Sequence, residues 1–339
     1  MKISVFGSGA WGTAIALLLY DNGHDTVLWS KFSAEAEAIR VARENPLLRG
    51  VEIPGGVVIT TDMKEAARGA DGVVIAVPSF AVRDTAEALR SEVGSGCVII
   101  CASKGIEKDT SDLFSYILKG VFGDDAPVAA VSGPTHAEEV SRRIPGACVA
   151  ASDEIRVAER VQDLLMNEYF RVYTSTDVVG VELGAALKNV IALSAGICDG
   201  LGFGDNTLAM LMTRGLAEMA ELCVRMGGRK ETLAGLAGLG DLIVTCMSQH
   251  SRNRRAGVLI GKGVPVQEAM KEVGAVVEGY YAAKAARELA SNTGVEMPIC
   301  NEAYKVLYEG KDPLSAIKGL MGRSGKSEHA TGGESWVTR

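Results

Sequence analysis

A glycine-rich motif near the start of the chain constrains the fold more than any other feature of this sequence. Residues 7–12 are Gly-Ser-Gly-Ala-Trp-Gly, a G-x-G-x-x-G pattern that follows an apolar run at 2–6 and precedes a helix-compatible stretch. In this context Gly7 permits the tight turn, Gly9 lets the backbone approach a pyrophosphate, and Gly12 allows close helix packing. The motif predicts a dinucleotide site at a helix N-terminus. A glycine-rich turn without a ligand is the alternative.

Short apolar runs alternate with helical stretches through the first half of the chain. We predict strands at 2–6, 26–29, 72–77, 97–102, 127–131 and 147–151, and helices at 13–20, 33–43, 80–91, 110–119 and 153–167. Continuous apolar strands are typical of a parallel sheet that helices cover on both faces. We therefore expect residues 1–176 to form an α/β, Rossmann-like domain with a doubly wound, mostly parallel sheet.

Helical patterns dominate after about residue 175. We predict helices at 177–199, 206–226, 254–261, 265–272, 279–291 and 300–309. Residues 177–322 should therefore form an all-α C-terminal domain that binds substrate, and we expect 323–339, rich in Gly, Ser and charge, to be a mobile tail. The stretch 178–201 is apolar, but charged residues such as Glu182 and Lys188 interrupt it. We expect a buried core helix there and no membrane insertion.

Charge and metal-ligand content exclude several classes of protein. With 35 basic and 42 acidic residues the net charge is −7, so we expect local anion sites and no nucleic-acid partner. Seven cysteines without a Cys-x-x-Cys pair indicate reduced core thiols, and four histidines without ligand spacing argue against a metal site. The N-terminal strand leaves no room for a signal peptide, so we expect a cytoplasmic protein.

The end of the second predicted strand bears on the choice between NAD and NADP. An acidic residue there binds the ribose 2′-hydroxyl and repels a 2′-phosphate. This strand ends Trp29-Ser30-Lys31, and the next acid is Glu35. Since Lys31 attracts a 2′-phosphate and Ser30 offers it a hydroxyl, we expect NADPH/NADP to be used and NADH/NAD to be tolerated. A solvated surface lysine is the alternative for Lys31.

A lysine interrupts the apolar helix predicted at 177–199. Positions 181, 184, 188, 192, 195 and 199 share one face and hold Val, Gly, Lys, Ala, Ala and Asp. Small neighbours leave room for a ligand beside the ammonium, and burial lowers the pKa of a lysine toward the range of a useful proton donor or acceptor. The alternative is a lysine whose ammonium reaches solvent.

Three further motifs offer polar groups. Ser251-Arg252-Asn253 combines a hydroxyl, a guanidinium and an amide, which suits an anion, although a solvated basic helix start is the alternative. Asp241 ends a Gly-Leu-Gly-Asp motif. Lys104 and the Gly133–Ala137 backbone follow predicted strands, where doubly wound sheets bind ligands. Because no carboxylate partner is visible for His136, we interpret it as a packing residue or a support for the residues that contact the ligand, and not as a catalytic acid.

Taken together, the motifs resemble those of the bacterial-type NAD(P)-dependent glycerol-3-phosphate dehydrogenases. The resemblance extends from residue 1 to about 322 and rests on the segments at 7–14, 103–107, 132–140, 180–190, 199–207, 238–242 and 251–254. It implies reversible hydride transfer between NAD(P)H and dihydroxyacetone phosphate, which yields sn-glycerol 3-phosphate for phospholipid synthesis. Ala10 stands where many members have serine, and His136 where many have phenylalanine.

The resemblance also implies roles for individual residues. Lys188 would be the catalytic proton donor and acceptor. Substrate-binding positions would be Lys104, Gly133, Thr135, Asp241, Ser251, Arg252 and Asn253. Cofactor-binding positions would be Gly7, Gly9, Ala10, Trp11, Gly12, Lys31, Lys104, Ala137, Arg252, Val276 and Glu278.

Two other functions fit parts of the pattern. A β-hydroxyacid or 6-phosphogluconate-type dehydrogenase has a similar two-domain plan and helix lysine, but it would oxidise a hydroxy acid. A nucleotide-sensing regulator would bind NAD(P) without a reaction, and it needs no buried lysine. We also expect a homodimer, because the apolar helices of the second domain exceed what one small core needs.

Overall fold

Eight strands form one sheet in the first half of the chain. The computed structural model describes residues 1–108, 110–325 and 327–328. The strands are β1 (Lys2–Phe6), β2 (Asp25–Trp29), β3 (Val58–Thr60), β4 (Gly72–Ile75), β5 (Val98–Cys101), β6 (Val128–Ser132), β7 (Gly146–Ala151) and β8 (Phe170–Ser175). Their order is β3-β2-β1-β4-β5-β6-β7-β8, and β6 and β7 are the antiparallel pair among otherwise parallel neighbours. The predicted doubly wound, mostly parallel sheet is confirmed.

Helices cover both faces of this sheet. They are α1 (Ala10–Asp21), α2 (Ser33–Ala42), α3 (Met63–Ala67), α4 (Val82–Leu89), α5 (Phe114–Phe122), α6 (Ala137–Val140) and α7 (Ile155–Leu165). Successive side chains of β1 point to opposite faces: Val5 joins a buried cluster with Leu18 of α1, and Phe6 joins a second cluster with Leu118 of α5. Because each strand must be apolar on both faces, the continuous apolar runs of the sequence identify them.

The strand order reverses beside β1. The chain passes from β1 outward through β2 to β3 and then returns to β4 on the other side of β1. In open α/β sheets a ligand crevice forms at such a reversal, outside the carboxyl ends of the strands. The loop at residues 7–9 leaves β1 at this end, so the fold brings the glycine-rich motif to the place where a dinucleotide binds.

The sequence did not predict β3 and β8, which are the two edge strands of the sheet. β3 is three residues long and pairs with β2 alone. β8 alternates between buried and exposed residues, with Phe170 buried and Tyr173 53% exposed. Each edge strand lacks the continuous apolar run that a strand buried on both faces requires.

The remainder of the described chain is helical. Its helices are α8 (Val178–Gly200), α9 (Asp205–Arg225), α10 (Lys230–Leu233), α11 (Asp241–Met247), α12 (Arg252–Gly261), α13 (Val266–Val273), α14 (Glu278–Thr293), α15 (Pro298–Tyr308) and α16 (Pro313–Met321), with a π-helical turn at Leu236–Gly240 before α11. The expected all-α C-terminal half is confirmed, although α10, the π turn and α11 were not predicted. In the described chain, α8 has the length and apolarity to cross a membrane, but 94% of its most apolar window is buried in the protein. It is a core helix, as predicted.

By its internal contacts the chain divides into two compact units, Met1–Glu182 and Leu183–Arg339. The functional division at residues 176 and 177 stays a prediction. Of the expected tail 323–339, residues 326 and 329–339 lie outside the described residues. All seven cysteines are buried, as expected of core thiols, and their reduced state stays a prediction.

Candidate active site

The glycine-rich motif forms a turn that leaves the backbone at the start of α1 open. Gly7 has φ +120°, and a Cβ there would lie 2.5 Å from the Ala76 carbonyl oxygen. A Cβ on Gly12 would lie 1.9 Å from the Gly7 oxygen, whereas a Cβ on Gly9 would meet nothing within 4 Å. Gly9 is the N-cap of α1, and the first N–H groups of that helix have no intrahelical acceptors. This geometry fits a pyrophosphate at the N-terminus of α1.

Several side chains fix the turn around this site. The Trp11 indole donates to the Ala102 carbonyl oxygen at 3.1 Å, next to the end of β5. The Asn45 amide donates to the Ser8 carbonyl oxygen at 2.8 Å and to Thr13 Oγ1 at 2.7 Å. Sequence analysis missed Asn45, which lies in the irregular segment between α2 and β3. Nothing in the local pattern marks it, because both its partners are distant along the chain.

The end of β2 differs from the expectation for Ser30. Its side chain is fully buried, and its hydroxyl lies 3.4 Å from both the amide nitrogen and the carbonyl oxygen of Phe32. The expected hydrogen bond from Ser30 to a 2′-phosphate is therefore wrong, because the buried hydroxyl faces its own turn. Lys31 is exposed.

Lys104 meets the segment that follows β6, as its position after β5 predicts. Its ammonium donates to the Gly133 carbonyl oxygen at 3.0 Å and lies 3.4 Å from Thr135 Oγ1. Gly133 has φ +155°, and a Cβ there would lie 2.8 Å from Cys148 Cα, so this bend requires glycine. His136 precedes α6 with extended backbone, and Ala137 is the first residue of that helix. The first unit thus brings Lys104, Gly133 and Thr135 together.

In the second unit, Lys188 forms a buried ion pair with Asp241. The lysine is 4% exposed, and its ammonium lies 2.5 Å from Asp241 Oδ1. It also donates to Thr245 Oγ1 at 2.6 Å, while the Thr245 hydroxyl donates to the Asp241 carbonyl oxygen at 2.6 Å. The carboxylate favours the protonated ammonium, whereas burial opposes it. Lys188 does not reach solvent, so the alternative of an exposed ammonium is excluded.

Close backbone contacts place this pair. A Cβ on Gly184, one turn before Lys188, would lie 2.7 Å from the Ala237 carbonyl oxygen in the π turn. The wide turn is closed by the Gly240 amide donating to the Gly235 carbonyl oxygen at 3.1 Å. Such single π turns are frequent at functional sites, because they redirect the next side chains. Here the next residue is Asp241.

Thr245 is a site residue that sequence analysis missed. It lies four residues after Asp241 on α11, the spacing that puts two side chains on one helix face. Because α11 was not predicted, the four-residue spacing could not indicate that Asp241 and Thr245 share a helix face. The neighbouring Cys246 is buried, and burial raises the pKa of its thiol to about 12. Cys246 therefore stays a protonated thiol at neutral pH.

The Ser251–Asn253 segment forms the N-terminus of α12, and its three side chains have different environments. The Ser251 hydroxyl accepts from the Arg254 amide at 3.2 Å as a helix cap. Arg252 is exposed, and Asn253 is buried. The guanidinium of the next residue, Arg254, pairs with Asp199 at 2.6 Å, so an acidic partner balances its positive charge.

Asn253 joins three helices. Its amide nitrogen donates to Asn189 Oδ1 at 2.9 Å, and its own Oδ1 accepts from the Gly279 amide at 2.8 Å. Asn189 follows Lys188 on α8, and Gly279 follows Glu278 at the start of α14. The second unit thus links Asn253 to the backbone next to Lys188 and next to Glu278. Val276 lies two residues before Glu278 and is half-buried.

No group of three or more His, Cys, Asp or Glu side chains within the described ranges could hold a metal ion. The polar groups that the structure gathers are instead ammonium, hydroxyl, amide and carboxylate groups, among them the buried Lys188–Asp241 pair. Such a set can move a proton at Lys188 and bind small anions at Lys104 and at the start of α12.

Comparison with known proteins gives a consistent result. Residues 2–158 match the N-terminal family of NAD-dependent glycerol-3-phosphate dehydrogenase, and 177–318 match its C-terminal family. A relative from a Thermoanaerobacter species, named glycerol-3-phosphate dehydrogenase (NAD(P)+), is 52% identical over 97% of this chain and 99% of its own. One with the same name from Agathobacter rectalis is 49% identical over 97% and 98%.

The solved structures agree with these relatives. The crystal structure of glycerol-3-phosphate dehydrogenase from Coxiella burnetii superimposes with a TM-score of 0.92 at 36% identity, and the match covers 95% of this chain and 99% of that one. Both halves of the chain match the same family, and the matches to the relatives run through nearly its whole length. This chain therefore belongs to the NAD-dependent glycerol-3-phosphate dehydrogenase family.

Proposed function

We propose that this enzyme catalyses the reversible reduction of dihydroxyacetone phosphate to sn-glycerol 3-phosphate with NADPH or NADH. The observation that carries the proposal is the buried Lys188–Asp241 pair in a member of this family. A ketone reduction needs a proton for the oxygen that becomes a hydroxyl, and a buried ammonium held by hydrogen bonds supplies one.

The residues around the glycine-rich turn fit a nicotinamide dinucleotide. The open backbone at Gly9 and the N-terminus of α1 would hold its pyrophosphate. Gly7, Ala10, Trp11 and Gly12 would shape this part of the site. The other cofactor contacts that we propose are Lys31, Lys104, Ala137, Arg252, Val276 and Glu278. When bound, the reduced cofactor supplies the hydride.

Lys188 would handle the proton. As the carbonyl carbon becomes tetrahedral, negative charge grows on its oxygen, and the ammonium stabilises this charge and then donates a proton. Asp241 balances the buried charge before transfer, and the Thr245 hydroxyl orients the ammonium through its hydrogen bond. In the oxidation direction the neutral amine accepts the same proton, so one residue serves both directions.

The phosphate would give the substrate its orientation. Arg252 is exposed at the start of α12 and offers a guanidinium fork, while Ser251 and Asn253 add a hydroxyl and an amide hydrogen. Lys104, Gly133 and Thr135 are the remaining substrate contacts that we propose. Binding energy from a remote phosphate is available to position the ketone, because it does not depend on the reacting bond.

The near-ultraviolet absorbance of the reduced cofactor tests the proposal directly. With NADPH or NADH present, dihydroxyacetone phosphate should cause oxidation, and unphosphorylated dihydroxyacetone at the same concentration should cause far less. Oxidation of a β-hydroxy acid without activity on dihydroxyacetone phosphate would instead place the enzyme among the hydroxyacid dehydrogenases. Cofactor binding without any turnover would indicate a sensor.

We also propose the cellular setting. The product supplies the glycerol backbone of phospholipids, and the buried environment of α8 favours a soluble, cytoplasmic enzyme over a membrane protein. We retain the expected homodimer, which the partly exposed apolar side chains of Leu239, Ile243 and Met247 at four-residue spacing support. Sedimentation as a strict monomer would refute the dimer.

A further inference from the structure

A carboxylate lies against the glycine-rich turn, although the end of β2 itself carries no acidic residue. Glu35 Oε1 accepts a hydrogen bond from Ser8 Oγ at 2.8 Å, and Ser8 is the second residue of the G-x-G-x-x-G motif. Glu35 belongs to the first turn of α2 and is half-buried. Neither the strand end nor the motif predicts this contact, because the two residues meet only after β1 and β2 pair.

The neighbouring backbone fixes where this carboxylate lies. Phe6 at the end of β1 pairs with Trp29 at the end of β2, and the Gly7 amide donates to the Trp29 carbonyl oxygen at 3.1 Å. Glu35, on the first turn of the helix that follows β2, therefore reaches the turn beside the carboxyl end of β2. In dinucleotide-binding sheets, an acid from this end of β2 faces the adenosine ribose, whose pyrophosphate lies on the adjacent helix N-terminus.

The turn holds the carboxylate in one position. Ser8 is 5% exposed, and the Asn45 amide donates to its carbonyl oxygen at 2.8 Å. Because its partner is fixed, Glu35 cannot swing away from the turn without losing a hydrogen bond. Lys31, in contrast, is exposed. A positioned negative charge at the start of α2 and an exposed positive charge on the connection before it thus lie four residues apart in the chain.

We propose that Glu35 is a specificity-determining residue that disfavours the 2′-phosphate of NADP and opposes the attraction of Lys31. The inference rests on the proposed use of a nicotinamide cofactor. A 2′-hydroxyl donates to the carboxylate, whereas a 2′-phosphate brings like charges together. The balance between Glu35 and Lys31 therefore allows one site to accept both cofactors.

Calorimetric dissociation constants for NADPH and NADH, without substrate, test this proposal. Glu35→Gln keeps an acceptor for Ser8 and removes the charge, so NADPH should bind roughly tenfold more tightly while NADH changes by about twofold or less. The shift should shrink at high salt, because screening weakens charge repulsion. Glu35→Ala should change the ratio of the NADPH and NADH dissociation constants by the same factor. Both cofactors should bind it more weakly than they bind Glu35→Gln, since the alanine also releases Ser8.

Glu37→Gln is the matched control, because Glu37 is an exposed acid of the same helix that pairs with Arg40. It should leave the ratio unchanged. If Glu35→Gln also leaves the ratio unchanged, or weakens both cofactors equally, Glu35 only supports the turn and the inference is wrong. A wild-type protein that binds neither cofactor would overturn the proposed function and this inference with it.

Discussion

The ammonium of Lys188 and the carboxylate of Asp241 are 2.5 Å apart and almost wholly buried, with 6% and 2% of their side chains exposed. The two residues come from α8 and α11, and the backbone contact at Gly184 packs α8 against the π turn that leads into α11. Removing one partner of a buried ion pair leaves an uncompensated charge, which costs more than an exposed pair contributes. This pair therefore links stability and the proposed chemistry.

Asp241→Asn tests the charge in this pair. The amide retains a hydrogen-bond acceptor for Lys188 but leaves its positive charge without a counterion. We expect the free energy of unfolding to fall by about 3 kcal/mol, and the turnover number to fall by roughly 100-fold. Urea denaturation and steady-state kinetics measure the two effects. Wild-type values for both would show that the carboxylate has no electrostatic role.

Thr245→Val tests the hydroxyl. Valine has nearly the shape of threonine but cannot accept from the ammonium, so Lys188 should be less well oriented. We expect the turnover number to fall by about tenfold with little change in cofactor affinity. Thr245→Ser restores the hydroxyl and should recover most of the activity. Equal activity of the valine and serine variants would show that the Thr245 hydroxyl does not orient Lys188.

Asn253 and Arg252 are adjacent residues that we expect to differ. Asn253→Ala leaves the buried Gly279 amide and Asn189 Oδ1 without these partners, so it should lower the free energy of unfolding by about 2 kcal/mol and raise KM. Arg252→Ala removes an exposed side chain, so it should raise KM for dihydroxyacetone phosphate with little effect on stability. If the two variants have the same free energy of unfolding, the hydrogen bonds of Asn253 to α8 and α14 do not stabilise the fold.

Glu218 predicts a dependence of stability on pH. It accepts hydrogen bonds from the amides of Ile299 and Cys300 at the start of α15, yet burial raises the pKa of this carboxyl from 4.5 to about 7. The raised pKa corresponds to roughly 3 kcal/mol between the two protonation states. Because the folded protein prefers the protonated form, this stabilisation is complete below the unfolded pKa and is lost as pH rises through about 7.

Urea denaturation from about pH 4 to about pH 8 measures this effect. Glu218→Gln stays neutral at every pH. The difference between its free energy of unfolding and that of the wild type should therefore shift in favour of the variant as pH rises. Glu221→Gln, on the same helix, should parallel the wild type at every pH. Parallel curves for Glu218→Gln as well would contradict the assignment.

The sequence predicted those parts of the fold that depend on local patterns. Strands buried on both faces, such as β1 and β4, appear as continuous apolar runs, and the glycine-rich turn follows directly from its motif. The edge strands β3 and β8 lack that run because some of their side chains are exposed. A search for continuous apolar runs, which identifies the central strands, therefore does not detect these two.

The site shows the same division between local and distant information. Lys188 was recognisable as a lysine in an apolar helix, but its partner Thr245 lies on a short helix that follows a π turn, and no periodic pattern marks that helix. Asn253 was expected to bind an anion, and only the fold brings it to Gly279. Glu35 reaches Ser8 only because two parallel strands end side by side.

The turnover of Lys188 variants tests the central claim most directly. We expect Lys188→Ala to lower the turnover number by about 1,000-fold or more, while calorimetry gives a dissociation constant for NADPH within about twofold of the wild type. The double variant Lys188→Met, Asp241→Asn removes both charges, so its loss of activity cannot arise from a buried unpaired carboxylate. If either folded variant reduced dihydroxyacetone phosphate at the wild-type rate, Lys188 would not be the proton donor.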